Sequence, residues 1–169
     1  DCQVLPDRIE TGTYMIASAI TGGNVRIKNC RPKQVETLTF KLKQAGVTVE
    51  EEETSLRVIS DGLLNGVNIK TQPHPGFATD LQAQFMALMT LARGQSIILE
   101  TIFENRFMHV AELNRMGANI TVQGRTAFVS GVNRLSGVPL MATDLRASAS
   151  LVLAALAAEG ESIISRVYH

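Results

Sequence analysis

Three times along this chain an aspartate opens an apolar helix of small residues that runs to a glycine and then a short strand. The copies run from Asp7 to Ile27, from Asp80 to Ile98 and from Asp144 to Ile164. An internal repeat constrains the fold strongly, because each copy must form the same unit and pack against its neighbours. The third copy reaches only its first strand, so we expect that unit to be incomplete.

The first two copies also match beyond the first strand. The same spacing separates Gly23 from Gly46 and Gly94 from Gly117. Each later glycine follows apolar residues at three- and four-residue steps, which indicates a helix stopped by a glycine in the left-handed conformation. Short alternating segments typical of strands follow, at 47–50, 56–59 and 66–70 in the first copy and at 118–121, 127–130 and 137–140 in the second.

This order of elements predicts an α/β fold with mixed sheets. Strands joined through helices need crossover connections, which place helices on a sheet face. We expect one domain over 1–169, built as a pseudo-threefold repeat with units at about 1–71, 72–140 and a truncated 141–169. The first helices are rich in Ala, Ser and Thr and can approach closely, so we expect an inside-out barrel with helices inside and sheets outside.

Composition excludes several classes of partner. Lys plus Arg and Asp plus Glu both number 16, so no net field attracts nucleic acid or an anionic membrane. The longest run of small or apolar residues, 147–158, spans about 18 Å as a helix, against about 30 Å of bilayer hydrocarbon. No metal-ligand spacing involves Cys2 or Cys30, which we expect to be reduced buried thiols in a cytoplasmic protein. The start at Asp1, without Met or a targeting segment, predicts an excised domain.

Asp80 follows a stiff segment, Gln72–Thr79, that contains two prolines and a glycine. Thr79 has the pattern of a helix N-cap, with Gln82 as its capping-box partner. One interpretation is that Asp80 only complements the helix dipole. The other is that a rigid loop holds its carboxylate to accept a substrate proton. The same two interpretations apply to Asp144, which follows Thr143.

A second candidate segment, Ile102–His109, lies between a predicted strand and a predicted helix, where α/β folds present ligand groups. It contains Glu104, Asn105 and Arg106 among aromatic residues. It is either an exposed loop with a Glu104–Arg106 or Arg–Asp pair, or a functional segment partly buried by Phe103, Phe107 and Met108.

Arg146 stands at a helix start, where a cation opposes the dipole, so we expect an anionic partner, either a neighbouring carboxylate or a ligand phosphate. His74 and His109 lack metal spacing and are expected to be structural hydrogen-bonders. We predict no metal site. The chain lacks the G-x-S-x-G, P-loop and G-x-G-x-x-G motifs, so hydrolase, P-loop and Rossmann functions have no support.

Four motifs in order resemble those of the enolpyruvyl transferases, and the resemblance runs the full length of the chain. They resemble the enzymes that act on UDP-N-acetylglucosamine more than the shikimate-pathway enzyme. The motifs are Leu5–Gly12, Pro73–Phe77 with Thr79–Gln84, Glu104–His109 and Ala142–Ser148.

The resemblance implies transfer of enolpyruvyl from phosphoenolpyruvate to the sugar 3-hydroxyl, with release of phosphate, as the first step of bacterial peptidoglycan synthesis and without a cofactor. By the matching motifs, Asp80 is the candidate base and the backbone of Ile102 contacts the UDP-sugar. The implied charged lining of the cleft is Glu104, Arg106, Asp144 and Arg146, with Arg146 meeting the phosphate or carboxylate of phosphoenolpyruvate.

Some of the family's parts fall outside the chain. The mobile loop with its cysteine acid and the phosphoenolpyruvate-binding lysine belong to the other domain, and neither Cys2 nor Cys30 lies in a matching motif. We therefore expect this chain alone to be inactive. Two alternatives stay open: a shikimate-pathway transferase domain, and a non-catalytic interaction module that self-associates through exposed strand edges.

Overall fold

A computed structural model describes residues 4–142 and 144–167 and confirms the mixed α/β class. The helices of the described residues are α1 Arg8–Ile20, α2 Glu36–Gln44, α3 Gln82–Met89, α4 His109–Arg115 and α5 Leu145–Ala157. Gly46 and Gly117 have φ of +98° and +95°, as expected for helix stops. One helix end differs from the prediction: α3 ends at Met89, well before Gly94. Gly22, shortly after α1, also has a positive φ, of +63°.

The strands form three sheets. Within the described residues they are β1 Asn24–Lys28, β2 Thr48–Glu51, β3 Ser55–Ile59, β4 Ile69–Lys70, β5 Gln95–Leu99, β6 Asn119–Gln123, β7 Thr126–Ser130, β8 Pro139–Met141 and β9 Ile163–Ser165. The sheet orders are β1-β3-β2, β4-β5-β7-β6 and β8-β9. The pairs β4–β5 and β8–β9 are parallel, whereas the other pairs are antiparallel. The sheets therefore contain both parallel and antiparallel strand pairs, as the predicted mixed sheets require.

Helices α1, α3 and α5 contact one another. Every residue of α3 is buried, and strands β5 and β7 pack against it. Small residues allow this close approach: Ser18 of α1 donates to the carbonyl of Val58 in β3 at 3.0 Å, and Ser60 donates back to the carbonyl of Ala19 at 3.0 Å. The core is therefore formed where these helices meet the inner faces of the sheets.

Gly66 and Gly137, which lie shortly before β4 and β8, make equivalent backbone hydrogen bonds. Gly66 N donates to the carbonyl of Arg93 at 2.8 Å, and Gly137 N donates to the carbonyl of Glu159 at 2.7 Å. A Cβ at Gly66 would lie 2.7 Å from the carbonyl oxygen of Gln95, closer than real Cβ contacts allow. Only glycine lets the backbones approach this closely.

The described residues also bear on thiols, membrane-crossing helices and clusters of metal-ligand side chains. Cys30 is a buried free thiol whose pKa is raised by burial, whereas Cys2 lies outside the described residues. Among residues 4–142 and 144–167, no helix has the length and apolar character needed to cross a bilayer. The same residues contain no cluster of three or more His, Cys, Asp or Glu side chains arranged to hold a metal ion.

Candidate active site

Asp80 lies in a 3-10 turn, Thr79–Leu81, that leads directly into α3. The capping box predicted for Thr79 and Gln82 is wrong, because Ala78 is the N-cap residue and no side chain caps this turn. Thr79 Oγ1 instead donates to Glu100 Oε2 at 2.9 Å. Gln82 is fully buried, and neither of its amide atoms has a hydrogen-bond partner among the described residues.

Two arginines hold the carboxylate of Asp80 through one oxygen. Arg106 Nη2 lies 2.8 Å from Asp80 Oδ1, and Arg146 Nε lies 3.1 Å from the same atom. The second oxygen, Oδ2, receives no hydrogen bond from the part of the chain that the structure describes. About a third of the Asp80 side chain is exposed. Asp80 therefore keeps one carboxylate oxygen available to a ligand.

The surroundings of Asp80 shift its pKa in opposing directions. Partial burial raises the pKa of this carboxyl, but the hydrogen bonds and charges of Arg146 and Arg106 outweigh it. The net effect is a pKa below the ordinary value for aspartate. Asp80 is therefore ionised at neutral pH, yet it is a weaker base than a free aspartate.

The predicted segment Ile102–His109 lies between β5 and α4, except that its last residue, His109, is the first residue of α4. Its aromatic residues bury it less than expected, because the side chain of Phe103 is 51% exposed. The Arg106 guanidinium lies 4.7 Å from the centroid of the Phe103 ring, a distance typical of a cation–π contact. Of the two pairings considered, Arg106 forms the one with an aspartate. Glu104 is exposed and forms no ion pair within the described residues.

Asp144 is the N-cap residue of α5, and its Oδ1 accepts from the backbone N–H of Arg146 at 2.8 Å and of Ala147 at 2.9 Å. Thr143, which precedes Asp144, lies outside the described residues. The Arg146 side chain points to Asp80, so the neighbouring carboxylate is the anionic partner that its position implied. Asp144 thus has a structural role as a cap.

These residues line one open hollow of about 390 Å³. Five of the predicted site residues take part: Asp80, Glu104, Arg106, Asp144 and Arg146. Ile102 is half-buried and is not among the lining residues, although its neighbour Phe103 is. The structure thus brings together charged groups from three separate stretches of sequence.

His109, predicted to be a structural hydrogen-bonder, is buried at the first position of α4. It is 2% exposed, and its Nε2 has no partner among the described residues. Burial lowers the pKa of His109 to about 4, although the charge of Asp144 opposes the shift. His74 is exposed, and its side chain makes no hydrogen bond within residues 4–142 and 144–167.

Glu100 was not singled out from the sequence. It is 1% exposed directly after β5, and its carboxylate accepts four hydrogen bonds from residues of three separate segments. Its donors are Thr71, Thr79 and the backbone N–H groups of Ile102 and Phe103. The only local signal was an acid directly after an apolar strand.

The chain matches a family model along its whole length. The model describes EPSP synthase (3-phosphoshikimate 1-carboxyvinyltransferase), and the match covers residues 1–169. Among solved structures, the enolpyruvyl transferase NikO from Streptomyces tendae superposes with a TM-score of 0.88 at 28% identity, covering 100% of this chain and 40% of that one. EPSP synthase from Acinetobacter baumannii superposes with a TM-score of 0.77 at 15% identity, covering 99% and 40%, which shows a shared fold.

Curated relatives are more similar in sequence. UDP-N-acetylglucosamine 1-carboxyvinyltransferase of Thermodesulfovibrio yellowstonii is 57% identical over 99% of this chain. The protein of the same name from Magnetococcus marinus is 60% identical over 98% of the chain. This chain spans 40% of the length of either relative. On the family match along all 169 residues, the chain belongs to the EPSP synthase family of enolpyruvyl transferases.

Proposed function

We propose that this chain is part of an enzyme that transfers enolpyruvyl from phosphoenolpyruvate to the 3-hydroxyl of UDP-N-acetylglucosamine. The observation that carries the proposal is the carboxylate of Asp80, held by Arg106 and Arg146 through Oδ1 and left with Oδ2 unbonded within the described residues. The relatives named for this reaction are 57% and 60% identical to the chain, whereas the EPSP synthase structure is 15% identical. These values favour the nucleotide sugar over a shikimate as acceptor.

Asp80 is the base in this proposal. The sugar 3-hydroxyl donates its proton to Asp80 Oδ2 as its oxygen bonds to C2 of phosphoenolpyruvate, while C3 takes a proton from an acid. The resulting tetrahedral intermediate then gives a proton from C3 to the conjugate base of that acid while the C2–O bond to phosphate breaks, which forms the enol ether product and releases inorganic phosphate. The family resemblance places the acid on a cysteine of the other domain.

Arg146 and Arg106 link the second substrate to the strength of this base. Phosphoenolpyruvate carries a phosphate and a carboxylate, which guanidinium groups bind through paired hydrogen bonds. An arginine that turns from Asp80 to such an anion removes the cause of the lowered Asp80 pKa. Binding of phosphoenolpyruvate would thus make Asp80 a stronger base when the acceptor hydroxyl is in place.

The backbone of Ile102 can offer only one group to the UDP-sugar. Its N–H donates to Glu100 Oε1 at 2.8 Å and is therefore occupied. No backbone N–H of the described residues donates to its carbonyl. We propose that Ile102 contacts the sugar nucleotide through this carbonyl, and that Glu104, which lines the hollow, contributes a second contact. Asp144 contributes by fixing the backbone of Arg146.

Charge explains why the chain needs a partner domain. The hollow is lined by three acids, Asp80, Glu104 and Asp144, and by only two bases, Arg106 and Arg146. This lining carries a net negative charge at neutral pH, which opposes the binding of an anion. Further cations must come from the rest of the enzyme. We therefore propose that this chain alone is inactive and is one domain of a two-domain enzyme.

We also propose that the domain is a pseudo-threefold repeat with units at about 1–71, 72–140 and 141–169. Equivalent backbone hydrogen bonds support the first two units. Asn65 N donates to the carbonyl of Ala45 at 2.9 Å, and Ser136 N donates to the carbonyl of Met116 at 2.8 Å. The parallel pairs β4–β5 and β8–β9 hold equivalent positions in successive units and support the third.

The proposed acceptor supports a cellular location for the reaction. UDP-N-acetylglucosamine is a precursor of the bacterial cell wall, so we propose a cytoplasmic role in the first step of peptidoglycan synthesis. The absence of a membrane-crossing helix among the described residues is compatible with this location.

One observation favours a second function, that of a non-catalytic interaction module. Apolar side chains are exposed on α5 and β9, including Val152 at 44%, Leu156 at 62% and Ile163 at 56%. Such surfaces promote association. Light scattering of the isolated chain at increasing concentration tests this function, which predicts a rising mass and fails if the mass stays that of a monomer.

The choice of acceptor tests the proposed reaction. A full-length protein carrying this chain should release phosphate from phosphoenolpyruvate when UDP-N-acetylglucosamine is supplied. Shikimate 3-phosphate, the acceptor of the alternative enzyme, should give no release above the background without acceptor. The reverse preference would assign the chain to the shikimate-pathway enzyme.

A further inference from the structure

Glu100 is a buried acid whose hydrogen bonds come from three different segments. Oε1 accepts from Thr71 Oγ1 at 2.8 Å, from Ile102 N at 2.8 Å and from Phe103 N at 3.1 Å. Oε2 accepts from Thr79 Oγ1 at 2.9 Å. Glu100 forms no ion pair within the described residues, so these four donors are its compensation for the loss of water.

The segments joined in this way are the ones that carry the candidate site. Thr71 follows β4, Thr79 directly precedes Asp80, and Ile102 and Phe103 begin the loop that carries Arg106. The backbone of Glu100 is also held, because Arg125 Nε donates to its carbonyl at 3.0 Å. The carboxylate therefore sets the distance between the turn of Asp80 and the loop that presents the Ile102 carbonyl.

A purely structural need would not require an acid here. Burying a carboxylate is costly, and neutral acceptors such as an amide oxygen or a backbone carbonyl can also satisfy buried donors. What an acid provides is several fixed acceptor positions at one point, which can hold two backbone N–H groups and two hydroxyls together. Catalysis depends strongly on such positioning, since a displacement of about 1 Å can reduce a rate by about 10²-fold.

We propose that Glu100 is a positioning residue: it holds Asp80, through Thr79, in register with the substrate-facing loop at Ile102 and Phe103. This inference rests on the proposed enolpyruvyl transfer for its effect on rate. The anchoring of the loop by Glu100 does not depend on that function, because amide exchange can measure it without turnover.

The test uses four variants of the full-length protein. Glu100→Ala removes both acceptor oxygens. Glu100→Gln keeps one oxygen that can accept from Thr71, Ile102 and Phe103. Its amide N–H₂ then faces the Thr79 hydroxyl, which can accept a hydrogen bond from it. Thr79→Val breaks only the link to the turn of Asp80. Ser55→Ala is the control, because it removes a hydroxyl that donates to the carboxylate of Glu52 at 2.7 Å in a different sheet.

Two readouts are measured on each variant. In Glu100→Ala, hydrogen exchange of the Ile102 and Phe103 amides should be about tenfold faster or more, and kcat should fall about 10²-fold. Glu100→Gln should restore both to within about threefold of the parent. Thr79→Val should keep these amides protected but lower kcat about tenfold, with little change in KM for UDP-N-acetylglucosamine. Ser55→Ala should match the parent.

Parental amide exchange and kcat in Glu100→Ala would overturn the proposal, as would parental kcat in Thr79→Val. If Glu100→Ala does not fold, Thr79→Val decides the question: a kcat about tenfold below the parent supports the proposal, and a parental kcat overturns it. A parent protein without turnover on UDP-N-acetylglucosamine would contradict the proposed function instead. The amide exchange of Ile102 and Phe103 would then still decide whether Glu100 anchors the loop.

Discussion

Asp80 Oδ1 and Arg146 Nε lie 3.1 Å apart, joining the turn before α3 to the first turn of α5. These residues are distant in sequence, and the contact between α3 and α5 brings them together. Arg146 stands where a cation opposes the helix dipole, and the pair with Asp80 offsets that cost. The same pair fixes the orientation of the proposed base.

Removing the charge of Arg146 should change both substrate binding and pH dependence. In Arg146→Met the KM for phosphoenolpyruvate should rise about tenfold or more, because a charge-assisted pair is lost. The pKa of Asp80 should rise, since a group that lowers it is gone, so the acid limb of the kcat/KM profile should move to higher pH.

Arg134→Met is the matched control for this experiment. Arg134 forms an exposed ion pair with Glu159 at 3.0 Å, away from the hollow. Steady-state kinetics across pH should show no change in this control. An Arg146→Met protein with the parental profile would show that Arg146 neither binds the anion nor influences Asp80.

Acid should destabilise the protein through His109. The folded-state pKa is lowered from 6.5 to about 4, so as pH falls between these values the unfolded chain binds a proton that the folded chain does not. The stabilisation is complete above about pH 6.5 and is lost towards about pH 4, at up to about 1.4 kcal/mol per pH unit. Urea unfolding measured at several pH values detects this slope.

His109→Asn should flatten that dependence, even if the variant is less stable at neutral pH. His74→Asn provides the control, because His74 is exposed and its loss leaves the core intact. The control should keep the parental loss of stability in acid. An unchanged slope in His109→Asn would show that other groups cause the acid sensitivity.

Gly131 should be far less tolerant of a side chain than Gly124. A Cβ at Gly131 would overlap the carbonyl oxygen of Ala92, a backbone atom that cannot move away cheaply. Gly131→Ala should reduce the free energy of unfolding by about 3 kcal/mol. Gly124 has φ of +58° and open space around it, so Gly124→Ala should lose only about 1 kcal/mol. Equal urea midpoints for the two variants would contradict this packing.

Local patterns in the sequence predicted the elements well but predicted their contacts less well. The helix stops at Gly46 and Gly117 follow from backbone sterics alone, so sequence was sufficient. The capping box at Thr79 failed because Glu100, distant in sequence, takes the hydroxyl. No local rule gives such a partner.

The candidate site shows the same division between local and long-range information. The motifs named Asp80, Arg106 and Arg146 as site residues, and the structure places all three in one hollow. The pairing of Arg106 with Asp80 rather than Glu104 depends on contacts between segments distant in sequence. Glu100 was not identified from the sequence, because its burial and its four hydrogen bonds exist only in the folded chain.

The most direct test of the account is kcat for Asp80→Asn in the full-length protein with phosphoenolpyruvate and UDP-N-acetylglucosamine. Asn keeps the shape of Asp80 but cannot accept the hydroxyl proton. Asp7→Asn is the control, since Asp7 caps α1 through the N–H of Ile9 at 2.7 Å and Asn caps equally well. The account predicts a fall of about 10²-fold or more for Asp80→Asn with a parental unfolding midpoint, and no change for Asp7→Asn. A parental kcat in Asp80→Asn would contradict it.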